Sequence, residues 1–187
     1  MRLETTQRGV PPVTIEAARR QVRVADDSLD DLLGDCLRRA CAVEEQVTGA
    51  ALAGPGYRLW LDAQELANLT GSMGRQLPRW PVTGVSAVVF HDEDGDPHTA
   101  THITADAGDW SWVQADIPDG VAVRDLSAAS IEFTAGFPAG RVPPDLEQIV
   151  LLRVAWLALG SQGRDADAHL MRLQDFTHLA SGHGLAL

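Results

Sequence analysis

Residues 75–95 read RQLPRWPVTGVSAVVFHDEDG, and they indicate an extended segment followed by a strand and a hairpin turn. The two prolines favour extended backbone in the residues before them, and neither can donate a hydrogen bond to a β-ladder. The β-branched and aromatic residues of the run 82–90 predict a strand. Asp94 and Gly95 then supply a turn that tolerates positive φ. A β element is therefore expected in the middle of the chain.

Helical patterns precede this region. Thr14 is a suitable cap for a short helix over Ile15–Val22, and a longer helix is expected to start at Ser28, with Asp31 at capping-box spacing, and to stop at Gly49. The apolar residues of the longer helix follow a helical period and predict one buried face, formed by Leu29, Leu32, Leu33, Cys36, Leu37, Ala40, Val43 and Val47. Its charged residues are expected mainly on the other side, namely Asp30, Asp31, Asp35, Arg38, Arg39, Glu44 and Glu45.

Helical patterns also follow the central β element. Pro144 suits the first turn of a helix that runs to residue 160, and this helix is apolar on more than one side, so it is expected to be buried centrally. A last amphipathic stretch covers about 165–180. The final segment, Ser181–Leu187, is too short and rich in glycine to fold unaided.

The segments between the helical regions are short. Those with the composition of strands are Tyr57–Leu61, expected at a sheet edge, and Thr99–Thr104, Trp110–Gln114, Val121–Val123 and Ser130–Ala135, whereas Leu66–Gly74 is predicted to be a loop. The predicted fold class is α+β. It combines a helical bundle of residues 1–52 and 141–180, an inserted small antiparallel β module of residues 53–140, and a flexible tail of residues 181–187.

The charge balance is acidic, with a net charge of −11, and all 15 basic residues are arginine. This balance argues against binding to nucleic acid through clustered cations. It agrees either with solubility alone or with a wall along which DNA slides, because acidic surface repels phosphate. No apolar run approaches the roughly 20 residues that span a bilayer, and residues 1–8 lack a hydrophobic signal core. The chain is therefore expected in the cytoplasm, with no membrane partner.

Side chains that carry chemistry elsewhere form no recognised motif here. His91, His98 and His102 lie among acidic residues but lack the spacing of a metal site. A phosphate-binding loop that ends in Lys-Ser or Lys-Thr and a Schiff-base mechanism are both excluded, because the chain has no lysine. Cys36 and Cys41 are interpreted as small buried residues. The sequence thus predicts no catalytic residue, no metal site and no cofactor.

Two tryptophans are candidates for an interface. Trp110 and Trp112 are two residues apart, so in a strand they share one face. They belong either to the core of the β module or to a contact with a neighbouring subunit or tail component, since tryptophan is enriched at binding hot spots.

Five parts of the chain, in this order, resemble the head–tail connector (adaptor or head-completion) proteins of tailed bacteriophages, prophages and gene-transfer-agent-like particles: Pro12–Ala18 with Val22–Val24, Val47–Gly49, Leu77–Val82, Phe133–Phe137 and Val142–Leu146. The resemblance implies a helical bundle with an inserted β module. It also implies a homo-oligomeric ring, usually of twelve copies, below the portal protein of a DNA-filled capsid. Such a ring extends the DNA channel and receives a stopper or tail-completion protein, and its subunits pass from the bacterial cytoplasm to the neck of the particle.

Two further expectations follow from the resemblance. Twelve copies would place 12 × −11, or −132, formal charges around the channel, so DNA would pass without sequence-specific binding. The apolar terminus that follows a glycine break is predicted to order on the portal protein. Its anchors would be Phe176, Leu179, Leu185 and Leu187.

Two other functions are left open by the residues alone. One is a stand-alone small binding or regulatory module with a ligand site in its β segment. The other is a hydrolase that uses Asp and His side chains. Genes for a portal protein and a capsid protein beside the coding sequence would favour the connector.

Overall fold

The computed structural model describes residues 1–52, 54–106, 111–138 and 141–160. In chain order its elements are β1 (Arg2–Gln7), α1 (Ile15–Val22), α2 (Asp30–Thr48), β2 (Gly56–Asp62), α3 (Ala63–Thr70), β3 (Arg75–Gln76), β4 (Val82–Asp92), β5 (Pro97–Thr99), β6 (His102–Ala105), β7 (Trp112–Asp116), β8 (Leu126–Ala135) and α4 (Pro144–Leu159). All strand pairs are antiparallel. The predicted α+β class is confirmed.

The chain divides into two compact units. A sheet unit comprises Met1–Arg8 and Gly54–Gly136, and a helical unit comprises Gly9–Ala53 and Phe137–Leu187. The expected division placed the first eight residues in the helical bundle, which is wrong. They belong to the sheet unit because β1 pairs with β2, from Arg2 opposite Trp60 to Gln7 opposite Gly56.

Local signals fix most ends of the first two helices. The Thr14 hydroxyl accepts a hydrogen bond from the Ala17 amide at 3.2 Å, so the predicted cap of α1 is confirmed. The predicted start of α2 at Ser28 is wrong, because the Ser28 amide and hydroxyl both donate to Asp26 Oδ1 and the helix begins at Asp30. Gly49 ends α2 in the left-handed region with a φ of 73°, where glycine has no steric penalty.

The helical unit buries a face of α2 that coincides only in part with the predicted one. Helix α2 packs mainly against α4, and α1 packs against both. Glu44 and Glu45, predicted on the polar side, are buried, whereas four residues of the predicted apolar face are exposed: Leu29, Leu32, Val43 and Val47. The buried face is therefore displaced by part of a turn from the predicted one, and it consists of Leu33, Cys36, Leu37, Ala40, Cys41, Glu44 and Glu45.

The sheet unit contains a five-stranded sheet in the order β1-β2-β8-β4-β5 and a three-stranded sheet in the order β3-β7-β6. Strand β8 lies at the centre of the larger sheet, between β2 and β4. The predicted edge position of Tyr57–Leu61 is wrong, because β1 and β8 flank β2 on its two sides.

Alternation along β2 and β8 creates the core of the sheet unit. Tyr57, Leu59 and Leu61 are buried, as are Ile131 and Phe133, and the rings of Tyr57 and Phe133 stack with centroids 5.4 Å apart. Helix α3 packs against β2, β7 and β8 through buried leucines, Leu66 and Leu69.

Helix α3 occupies residues 66–70 of the loop that was predicted for 66–74, and residues 71–74 are not helical. Its start is fixed by the Asp62 carboxylate, which accepts a hydrogen bond from the Glu65 amide at 3.3 Å. An acid followed three residues later by glutamate is a helix-start pattern, so the sequence did contain this signal.

The hairpin after β4 is confirmed, with Gly95 at a φ of 87°. The predicted strand Thr99–Thr104 is instead divided: Pro97–Thr99 pairs with β4, and His102–Ala105 pairs with β7 in the smaller sheet. The predicted strand Val121–Val123 is wrong, because Val123–Asp125 forms a 3-10 turn after the positive-φ Gly120. No helix within the described ranges has the length and apolar character needed to cross a bilayer.

Candidate interaction surfaces

The side chains that alternate with the core residues gather on the opposite face of the larger sheet. Trp60 pairs with Ser130 across β2 and β8, and Arg58 pairs with Glu132. His91 on β4 reaches the same place, because its ring centroid lies 5.4 Å from that of Trp60. We call this group, which consists of Arg58, Trp60, His91, Ser130 and Glu132, the Trp60 patch.

Electrostatic and aromatic contacts hold the Trp60 patch together. Arg58 Nε donates to Glu132 Oε1 at 3.0 Å, and the Arg58 guanidinium lies 6.0 Å from the centroid of the Trp60 ring. The ion pair cancels the two formal charges. A half-buried tryptophan beside an arginine, framed by paired charges, is the composition of a protein-binding hot spot.

Ser130 and His91 of the Trp60 patch lack the geometry of a serine nucleophile with its base. His91 Nε2 lies 3.5 Å from Ser130 Oγ, at the limit of a hydrogen bond. The nearest acid in the sequence, Asp92, is bonded to His98 rather than to His91. A serine nucleophile needs a base that a third group orients. The described residues around Ser130 do not supply that arrangement.

The three histidines of the β region lie in separate environments. His98 Nε2 lies 3.0 Å from Asp92 Oδ2, His91 belongs to the Trp60 patch, and His102 contacts Thr104 in the smaller sheet. The hydrogen bond from His98, together with the Asp96 amide, lowers the pKa of Asp92. Within residues 1–52, 54–106, 111–138 and 141–160, no three His, Cys, Asp or Glu side chains cluster closely enough to hold a metal ion.

Trp112 lies at the start of β7, opposite Gln76 of β3. It is half-buried, whereas Val113 and Ala115 are buried. An added Cβ on Gly74, whose φ is 66°, would lie only 2.8 Å from Trp112 Cε3, so the ring sits directly against this glycine. Trp110 lies outside the described residues, and the shared face of the two tryptophans stays a prediction.

The predicted portal anchors also lie outside the described residues. They are Phe176, Leu179, Leu185 and Leu187. The predicted amphipathic stretch 165–180 and the predicted tail 181–187 likewise lie outside the described residues.

An ion pair inside the helical unit was missed by the sequence reasoning. Glu44 has no exposed surface, its Oε1 accepts a hydrogen bond from Arg153 Nε at 2.8 Å, and its Oε2 has no hydrogen-bond partner among the described residues. Burial raises the pKa of Glu44, and the bond to Arg153 opposes that rise. The neighbouring Glu45 is buried as well, and its Oε1 accepts from the Leu52 amide at 2.7 Å.

Cys41 lies close to this pair. Burial, with the nearby Glu45 and Glu44 carboxylates, raises the pKa of its thiol to about 12. Burial also raises the pKa of Cys36. Both thiols are free and buried, and a protonated thiol is a poor nucleophile and metal ligand. Their interpretation as small buried residues is confirmed.

Comparison with solved structures gives matches along nearly the whole chain. A chain in the neck of an empty gene transfer agent particle, computed with C6 symmetry, is 24% identical with a TM-score of 0.72, over 96% of this chain and 95% of that one. A chain of the virion of the native gene transfer agent is 24% identical with a TM-score of 0.66, over 92% and 95%. A chain in the neck of the native particle, computed with C12 symmetry, is 27% identical with a TM-score of 0.57, over 92% and 94%.

No protein-family model and no curated protein matches the chain. The resemblance to connector proteins of phage-like particles, inferred from short segments, is nevertheless confirmed by the similarity to neck and virion chains. The matches cover 92–96% of this chain, so they extend over both the helical unit and the sheet unit.

Proposed function

We propose that this chain, which has the fold of neck chains of a gene transfer agent, is a structural head–tail adaptor of a phage-like particle. In this role it forms a ring below the portal protein, extends the DNA channel and joins the capsid to a stopper or tail component. The observation that carries the proposal is the similarity to neck chains along nearly the whole length of both proteins. A shared module alone would have matched only one of the two units.

The features of the chain agree with a protein that acts through contact surfaces. The Trp60 patch offers an aromatic surface without net charge, and the described histidines and buried cysteines form no reactive centre. The acidic balance suits a channel wall, because a negative lumen repels the DNA phosphates and lets the duplex slide. We infer that the subunits gather in the bacterial cytoplasm and end in the neck.

The test of the ring is reconstitution with the portal protein of the same particle. Full-length chain and portal protein are mixed, and the product is examined by negative-stain microscopy and by sedimentation. A ring on one face of the portal, with a symmetry of six or twelve, is the expected product. A chain that stays monomeric and unbound at every ratio would contradict the adaptor role.

The terminal segment is proposed to hold the ring on the portal protein. Apolar side chains at Phe176, Leu179, Leu185 and Leu187 would bury on docking, since short apolar segments gain their order from the partner. Deletion of residues 177–187 is expected to abolish portal binding and leave thermal unfolding of the chain unchanged. A variant with Leu185 and Leu187 replaced by Ala serves as the milder test, and unchanged portal binding by the deletion would refute the proposed anchor.

A further inference from the structure

The outer flank of α2 carries four of the exposed large apolar side chains of the described residues. Their exposed fractions are 38% for Leu29, 46% for Leu32, 37% for Val43 and 40% for Val47. Leu29 immediately precedes the helix, and Val47 is its penultimate residue. We call these four residues the α2 flank.

Helical geometry places the four side chains on one line. Leu29 and Val47 are separated by about five turns of 3.6 residues, and Leu32 and Val43 by about three. The four residues therefore lie on one side of the helix over roughly 27 Å at about 1.5 Å per residue, with one exposed pair near each end. Cys36 and Ala40 lie along the same strip and are buried, so the flank borders the core of the helical unit.

A strongly acidic chain limits where another copy can approach. Each copy carries a net charge of −11, so two copies repel one another over most orientations. The α2 flank contains no charged residue. At its border Arg39 is positive, and Asp35, three residues after Leu32, is paired with Arg38. An apolar strip is thus a surface on which two like-charged copies can meet without bringing carboxylates together.

We propose that the α2 flank is a contact surface for a second copy of this chain. This inference rests on the proposed ring, and it is supported by the C6 and C12 symmetries of the necks in which similar chains occur. In a ring each subunit contacts its neighbour through two different surfaces. The α2 flank is one of these surfaces, and it meets a different part of the next copy.

The test places a photo-cross-linking amino acid, p-benzoylphenylalanine, at position 32 of the full chain. A matched control carries the same group at position 42, which is exposed on the same helix but about a quarter turn away. Each protein is mixed with the portal protein, irradiated and analysed by mass spectrometry. Position 32 is expected to give adducts between two copies of the chain at least tenfold more often than position 42.

Three outcomes would overturn the inference. An adduct within one chain to residues 161–187 would show that the chain's own terminal segment covers the flank. An adduct to the portal protein would assign the flank to that partner. Equal yields from positions 32 and 42 would show no specific contact.

A second measurement uses substitutions that leave the charge unchanged. The double variant Leu32→Gln, Val43→Gln is expected to weaken ring formation at least tenfold with unchanged thermal unfolding, whereas Ala42→Gln keeps wild-type assembly. Rings that form normally from the double variant would refute the flank contact and leave the adaptor role intact. If the wild-type chain forms no ring with the portal protein, the adaptor role itself fails, and this result appears without any variant.

Discussion

At the scale of single residues, the pair of Glu44 and Arg153 places a fully buried carboxylate in the helical unit. A carboxylate without exposed surface loses its hydration, and one hydrogen bond at 2.8 Å restores only part of it. Removal of the cation would leave the carboxylate buried without a partner.

Replacement of Arg153 by Met is therefore expected to lower the free energy of unfolding by about 3–5 kcal/mol at neutral pH. The matched control is Arg38→Met, which breaks an exposed ion pair with Asp35 and should cost at most about 1 kcal/mol. Urea unfolding of both variants provides the comparison. Equal losses in the two variants would mean that the Glu44 pair is not buried in solution.

The protonation of Glu44 gives the helical unit a specific pH dependence. Its pKa in the folded state lies above the ordinary value of 4.5, so the folded state holds this proton more tightly than the unfolded state. The stabilising contribution is complete below the unfolded pKa and is lost as the pH rises through the folded pKa.

Wild type is therefore expected to gain stability relative to Glu44→Gln as the pH is lowered from neutrality toward 4.5. Asp30 and Asp92, whose pKa values are lowered by hydrogen bonds from Arg19 and His98, change stability in the opposite sense. Both are present in wild type and in the variant, so the difference in unfolding free energy isolates Glu44. A difference that is constant with pH would contradict the raised pKa.

At the scale of elements, the rotation of α2 about its own axis decides which of two adjacent leucines is buried. Leu33 is fully buried, whereas its neighbour Leu32 is 46% exposed. The same substitution at these two adjacent positions of one helix therefore tests the effect of burial alone.

Leu33→Asp is expected to cost more than about 4 kcal/mol and to unfold the helical unit, because the aspartate would be buried without a partner. Leu32→Asp should change the unfolding free energy by no more than about 1 kcal/mol. Thermal unfolding followed by circular dichroism measures both. Equal losses of unfolding free energy in the two variants would contradict the burial of Leu33 and the exposure of Leu32.

Elements with local signals could be predicted from the sequence, and those that depend on distant partners could not. The cap at Thr14, the stop at Gly49 and the hairpin at Gly95 each follow from a residue type at one position. Strand β1 has a polar sequence, and its partners in β2 lie 49 to 58 residues away, from Gln7 opposite Gly56 to Arg2 opposite Trp60. The same limit explains why Tyr57–Leu61 was wrongly placed at an edge.

The candidate surfaces follow the same rule. The Trp60 patch exists only through the register of three strands, so no local pattern indicates that Trp60 meets His91 or that Arg58 meets Glu132. Glu44 and Glu45 were assigned to the polar side because they are charged. Their spacing from Leu37 and Cys41 is the helical signal that would have placed them on the inner face. Trp112 was named in advance, but its role at an interface remains a prediction.

At the scale of the whole molecule, the net charge of −11 governs how copies approach one another. The Debye length is about 30 Å at roughly 10 mM salt and about 8 Å at roughly 150 mM, so repulsion between copies weakens strongly over this range. Contacts through apolar surfaces are not screened in this way.

The second virial coefficient of the free chain is therefore expected to be positive at roughly 10 mM salt and to fall as the salt is raised to about 150 mM. Static light scattering on a dilution series measures it. A coefficient that rises with salt would show that attraction between opposite charges, rather than apolar contact, brings copies together.

The central position of β8 has a consequence for synthesis on the ribosome. Strands β2 and β4 emerge long before β8, and each keeps an unpaired edge until residues 126–135 arrive to join them. A nascent chain thus presents two open strand edges at the time when it is most prone to sticking to other chains. Premature termination before residue 126 would release such a product permanently, so truncated translation products of this protein should be insoluble or quickly degraded.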